Sequence, residues 1–131
     1  MSNKNKLKRK WSATVLVCAL AMMAMLAAAP AWAFVATVHN TTKETVTVEA
    51  FEIKSPEMIK SLGKKKLEPG WAFRFKPNSG FCIDHYEGWY SSRTSASQHW
   101  TKRANSNGAH CGNQLVSVKR DKYGNFFFKI E

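Results

Sequence analysis

Period-two alternation of apolar and polar residues is the dominant signal in this chain. Trp71, Phe73 and Phe75 fall on one phase, and Ala72, Arg74 and Lys76 fall on the other. That pattern predicts a strand with one buried and one wet face. Glu68-Pro69-Gly70 before it and residues 77–80 after it carry turn chemistry, and Phe81 to Tyr86 resume an aromatic-rich extended run. The spacing predicts a central β-hairpin with Phe73, Phe75 and Phe81 in the core.

The same reading extends outwards. Residues 34–39 alternate and predict a first strand, and residues 45–53 form the clearest β-run. Within that run, Val46, Val48 and Ala50 lie on one parity and Phe51 and Ile53 on the other. A bulge near Ala50 would turn both sets inward. Ser55, Pro56 and Glu57 form a helix-start signal, Met58, Ile59 and Leu62 an apolar side, and Gly63 a stop. One short helix is predicted there, followed by Lys64, Lys65 and Lys66 in a loop. Glu87-Gly88 reads as a turn, residues 91–113 as a long polar segment interrupted at His99-Trp100, and residues 98–103 as a further strand. Leu115, Val116 and Val118, then Phe126 to Ile130, supply the last two strands. The sum is an all-β fold: a small β-sandwich or partly open barrel of about six to eight mostly antiparallel strands with one short helix.

The beginning of the chain follows different rules. Lys4, Lys6, Lys8, Arg9 and Lys10 precede an apolar run over residues 15–29, and Ala31-Trp32-Ala33 places small residues before Phe34. This is the pattern of a secretory signal peptide, a signal helix cleaved after residue 33. The domain division is therefore residues 1–33 as leader and residues 34–131 as one β domain, secreted or periplasmic through the general secretory route. Taken from Trp11 to Ala29 the stretch is close to the minimum of about 20 residues for a bilayer span, so an uncleaved anchor is the competing outcome.

Export changes the meaning of the cysteines and of the charge. Cys18 lies in the leader, leaving Cys82 and Cys111 as a disulfide pair in an oxidising compartment. The formal charge of +11 includes five leader cations. Beyond residue 33, fifteen Lys and Arg residues face nine acidic ones, a net of +6. Such a surface favours anionic partners. Trp89, Tyr90, Arg93, Trp100, Lys102 and Arg103 combine stacking faces with cations and are the candidate ligand-binding residues. The Lys64 to Lys66 run could also meet a membrane surface.

No nucleophile elbow, two-histidine helix motif or paired metal-ligand spacing occurs, so neither metal nor cofactor is expected. Asn40-Thr41-Thr42 fits the N-glycosylation sequon, a match taken as incidental beside a leader of bacterial type. The leading expectation is a binding module, not an enzyme, recognising an anionic or aromatic-stacking ligand of the cell envelope: a lipid headgroup, an acidic glycan or a partner protein. The alternative is a small metal-independent hydrolase, such as a nuclease using His85, His99 and His110 on a nucleic-acid substrate.

The disulfide carries the first test. Its cysteines lie 29 positions apart, and closing a loop of that size contributes about 3–4 kcal/mol. Replacing Cys82 by Ser is expected to remove amide exchange protection from the loop at residues 104–110 before the sheet. Uniform loss across sheet and loop would contradict that order.

Overall fold

The computed structural model describes residues 34–131; the leader assigned to residues 1–33, with its signal helix, lies outside the described residues. Eight strands follow in order: β1 (Ala36–Asn40), β2 (Val46–Ile53), β3 (Ile59–Leu67), β4 (Ala72–Phe75), β5 (Cys82–Tyr90), β6 (Gln98–Arg103), β7 (Gln114–Arg120) and β8 (Phe126–Ile130). They form two four-stranded sheets, ordered β4-β1-β7-β8 and β3-β2-β5-β6. All pairings are antiparallel except β1 with β7. The buried residues of both sheets, among them Val38, Val48, Phe75, Tyr86, Val116 and Phe128, make one core. The all-β sandwich expected from the sequence is thus present among the described residues.

The predicted helix is absent: no helix occurs among the described residues, and its second half is β3. Residues 55–58 form a turn instead, with the Met58 amide donating to Ser55 O at 2.8 Å. A helix of two turns is marginal by itself, whereas an extended chain pairs along nearly the whole of β2. Gly63, expected as a helix stop, has φ of +97° within β3. It lies where the register steps from Phe51↔Ser61 to Glu49↔Lys64, so Leu62 and Gly63 together face Ala50.

A bulge near Ala50 therefore exists, but the extra residue belongs to β3. A second irregularity gives β5 the extra residue, Asp84, between the pairs Phe51↔His85 and Glu52↔Ile83. Strand β2 keeps its alternation, so Glu52 continues the inward series of Val46, Val48 and Ala50 and is 1% exposed. Phe51 and Ile53 turn outward, contrary to the expectation that the bulge would bring them in.

The central hairpin is also corrected. β4 pairs with β1 in one sheet, and β5 pairs with β2 and β6 in the other. The two turn signals around the aromatic strand are crossings between sheets. Aromatic alternation specifies a buried face without specifying whose. Trp71 precedes β4 and is exposed, Phe73 is half-buried and Phe75 is buried. Phe81 stays outside the core cluster, beneath Lys54 and Lys60. Glu87-Gly88 lies inside β5, and β6 divides the supposed long polar segment into two shorter connections. Lys64, Lys65 and Lys66 lie in edge strand β3, a position where lysines discourage strand-to-strand aggregation.

Most inward polar groups are hydrogen-bonded, as burial demands; among the described residues the buried Trp100 indole N–H is the exception and has no partner. Asn40 has no exposed surface; its side-chain amide donates to Glu44 O at 2.7 Å and Leu67 O at 3.0 Å, and its Oδ1 accepts from the Thr42 amide and hydroxyl. A glycan on Asn40 is incompatible with that burial. Glu52 accepts from the Asn78 amide at 2.7 Å and the Asn78 side chain at 2.6 Å, fixing the crossing from β4 to β5. Gly88 lies under Trp100: a Cβ there would come 2.3 Å from the indole, which stacks on Phe126. The disulfide joins Cys82 at the start of β5 to Cys111, with Cα atoms 4.6 Å apart.

Across the sandwich the Tyr86 hydroxyl donates to Gln114 Oε1 at 2.5 Å, and Gln114 Nε2 donates to Ala104 O at 2.7 Å. Burial pushes the Tyr86 phenol well above its ordinary value. The fold favours the neutral phenol, so this contribution is whole below the ordinary tyrosine value of about 10 and declines as pH rises above it. Tyr86→Phe is expected to cost about 1–2 kcal/mol in denaturant melts at pH 7 and to flatten the alkaline decline. An unchanged alkaline profile in the variant would remove Tyr86 as its source.

Candidate functional site

Strand register brings most of the chemistry-bearing residues onto the outer face of the β3-β2-β5-β6 sheet. Cross-strand neighbours share a face, and three rungs result. Lys66, Thr47, Trp89 and His99 form one; Lys64, Glu49, Glu87 and Thr101 the next; Ser61, Phe51, His85 and Arg103 the third.

Glu87 is the centre of this face. Its Oε1 lies 3.0 Å from His99 Nε2 and its Oε2 lies 3.5 Å from His85 Nε2. The other ring nitrogen of His85 is 2.7 Å from Asp84 Oδ2. His85 also stacks on Phe51, with ring centroids 4.3 Å apart and planes 8° from parallel. Glu49 stands directly across from Glu87, a like-charge pairing that needs other partners. The Ser61 hydroxyl donates to Glu49, and the histidines serve Glu87.

Trp89 is held in the same way. His99 from β6 stacks on it with centroids 5.0 Å apart. Lys64, from the opposite side of the strand order, places Nζ 4.3 Å from its ring centre. The protein's own side chains thus flank the indole on either side.

The residues singled out from the sequence divide accordingly. Trp89 and Arg103 share the outer face with His85 and His99. Tyr90 and Trp100 are packed in the core at 8% and 9% exposure, against Phe126, and present no free stacking face. Lys102 stands opposite Tyr86, on the other phase of β6, and is exposed at the open edge. Arg93 is exposed in the connection before β6. Two of the three histidines meet through Glu87. His110 lies beside the disulfide, its backbone paired with Ile83 and its Nε2 3.4 Å from Asn113 O.

Sequence reasoning missed Glu87, although His85, Glu87 and Trp89 alternate at the spacing that puts them on one strand face. The turn expected at Glu87-Gly88 hid that series. The Lys64–Trp89 contact had no sequence signal, because it spans three strands of a sheet whose order the sequence leaves open.

Chemically, the face presents carboxylates engaged by imidazoles. Acid–base catalysis requires a ring nitrogen aimed at a substrate proton, and both nitrogens of His85 already face carboxylates. Among the described residues no cluster of three or more His, Cys, Asp or Glu is arranged to hold a metal ion. Sequence comparison finds no family model and no curated protein that the chain matches.

Proposed function

We propose that the domain is an exported module that binds an anionic component of the cell envelope or its surroundings, a lipid headgroup or an acidic glycan, through cations left without internal counterions. One observation carries this reading: among the described residues, Arg120 is the only Lys or Arg within 4.0 Å of a carboxylate, at 3.6 Å from Glu44.

The reason lies in where the acids are engaged. Glu52 is taken by Asn78, Glu49 by Ser61, Asp84 and Glu87 by histidines, and Glu131 by Ser117. Asp121 accepts from the amides of Tyr123 and Asn125. Several lysines lie instead over aromatic rings: Lys64 over Trp89, Lys65 over Phe73 and Lys60 over Phe81. A ring holds an ammonium group in place without neutralising it. The net charge of +6 on residues 34–131 is therefore available to an outside anion. The disulfide suits an oxidising compartment and supports export.

With Tyr90 and Trp100 buried and Trp89 flanked, the aromatic-stacking part of the reading loses its support on this face, and the anionic part stands. The shared Glu87 is the observation that favours the metal-independent hydrolase, in which His85 and His99 would act together.

Binding of residues 34–131 to dextran sulfate, anionic vesicles and an oligonucleotide tests the proposal. Affinity is expected to fall steeply between about 0.05 and 0.5 M NaCl, and Lys64→Ala with Lys66→Ala is expected to weaken it several-fold. Absence of binding to all three at low salt would contradict the proposal. Cleavage of the oligonucleotide, lost in His85→Ala or His99→Ala, would favour the hydrolase.

A further inference from the structure

One end of the sandwich carries a second pattern. There β1, β3, β5 and β7 finish and β2, β4, β6 and β8 begin, bringing together the connections at residues 41–45, 68–71, 91–97 and 121–125. The two sheets are joined at this end: Gln98 Nε2 donates to Gly124 O at 3.0 Å, and the Asn40 side chain reaches Leu67 O at 3.0 Å.

Two of these connections project the most exposed large hydrophobic side chains of the described residues, Trp71 at 57% and Tyr123 at 77%. Either alone would be an ordinary surface aromatic. Together they stand on a common rim, and the backbone beneath each is fixed. Trp71 O accepts from the Asn40 amide at 2.9 Å, and the Tyr123 amide donates to Asp121 Oδ1 at 2.8 Å in a turn closed by Gly124 at φ +85°.

The charge around them is one-sided. Lys43, Lys66, Arg93, Lys119, Arg120 and Lys122 lie on or beside these connections against Glu44, Glu68 and Asp121. Of those acids, Glu44 pairs with Arg120 and Asp121 is turned into its own loop. An open groove of about 520 Å³ at this rim has Lys43, Lys119 and Arg120 in its lining, together with Glu44 and Asp121.

A ring with an apolar body and a polar edge suits the headgroup level of a bilayer, where Trp and Tyr concentrate. Cations beside it meet lipid phosphate and add to the attraction. A soluble polyanion would use the cations and leave both rings in water. We propose that this end of the sandwich docks on an anionic bilayer surface, Trp71 and Tyr123 entering the headgroup layer while Lys43, Lys119 and Lys122 face lipid phosphate. The inference rests on the anionic-partner reading and names the partner and the contact end.

Residues 34–131 are incubated with vesicles of phosphatidylcholine and phosphatidylglycerol at a ratio of about three to one, with pure phosphatidylcholine vesicles and with dextran sulfate in parallel. Partition onto the anionic vesicles is expected to fall by about tenfold in Trp71→Ala with Tyr123→Ala, with dextran sulfate binding unchanged. Brominated acyl chains are expected to quench tryptophan emission in the wild type, and no longer to do so after Trp71→Phe. Both positions are exposed, and an unchanged circular dichroism melt verifies folding. Vesicle partition indifferent to the double variant, or dextran sulfate binding without vesicle binding, overturns the docking inference and leaves the anionic-partner reading standing. Binding to neither removes both.

Discussion

A polar group turned into the core costs free energy unless it finds partners inside the protein, and this domain turns several inward that do. Asn40, Glu52 and Gln114 are all buried, and each reaches across a boundary between elements. Asn40 ties the end of β1 to the start of β2 and the end of β3. Glu52 holds the crossing between sheets at Asn78, and Gln114 links Tyr86 of one sheet with Ala104 beyond β6. Hydrophobic burial is indifferent to partner, whereas these hydrogen bonds specify which connection closes over which strand. The disulfide adds a covalent tie at the other end of β5.

The same constraint shapes the surface. A carboxylate satisfied by an asparagine, a serine, a histidine or a backbone amide is not an ion-pair partner for lysine. Most of the acids of this domain are satisfied in that way, so few of the cations are held in direct ion pairs while the net charge stays at +6. Structure and binding are linked at this point: the groups that fix the fold are the groups that would otherwise have cancelled the cations.

The fold class was legible because alternation, turn residues and β-branched runs are local. Val46 to Ala50 and Phe126 to Ile130 announce strands without reference to any neighbour. What failed required knowledge of the partner strand. Residues 55–63 carry good helix-start chemistry, yet β2 offers pairing that a two-turn helix cannot match. The inward Glu52 was hidden because the extra residue at the bulge sits in β3, which the β2 sequence cannot show. The turns beside β4 read as hairpin turns because their chemistry is the same whether a chain returns to its own sheet or crosses to the other. For the site, Trp89, Arg103, His85 and His99 share a face through register, while Tyr90 and Trp100 went to the core because their phase along β5 and β6 is the inward one. Trp71 read as the first position on the buried phase of the aromatic strand and Tyr123 as part of a turn; the exposure of both is a property of the whole surface.

Whether the cations lack internal counterions shows in the salt dependence of stability. Cations repelling one another destabilise the fold, and salt screens that repulsion. The unfolding free energy of residues 34–131, followed by thermal melts, is expected to rise as NaCl increases from about 0.02 to 0.5 M at neutral pH. A fall in stability over that range would show that ion pairs hold the domain together, and would contradict a surface of unpaired cations.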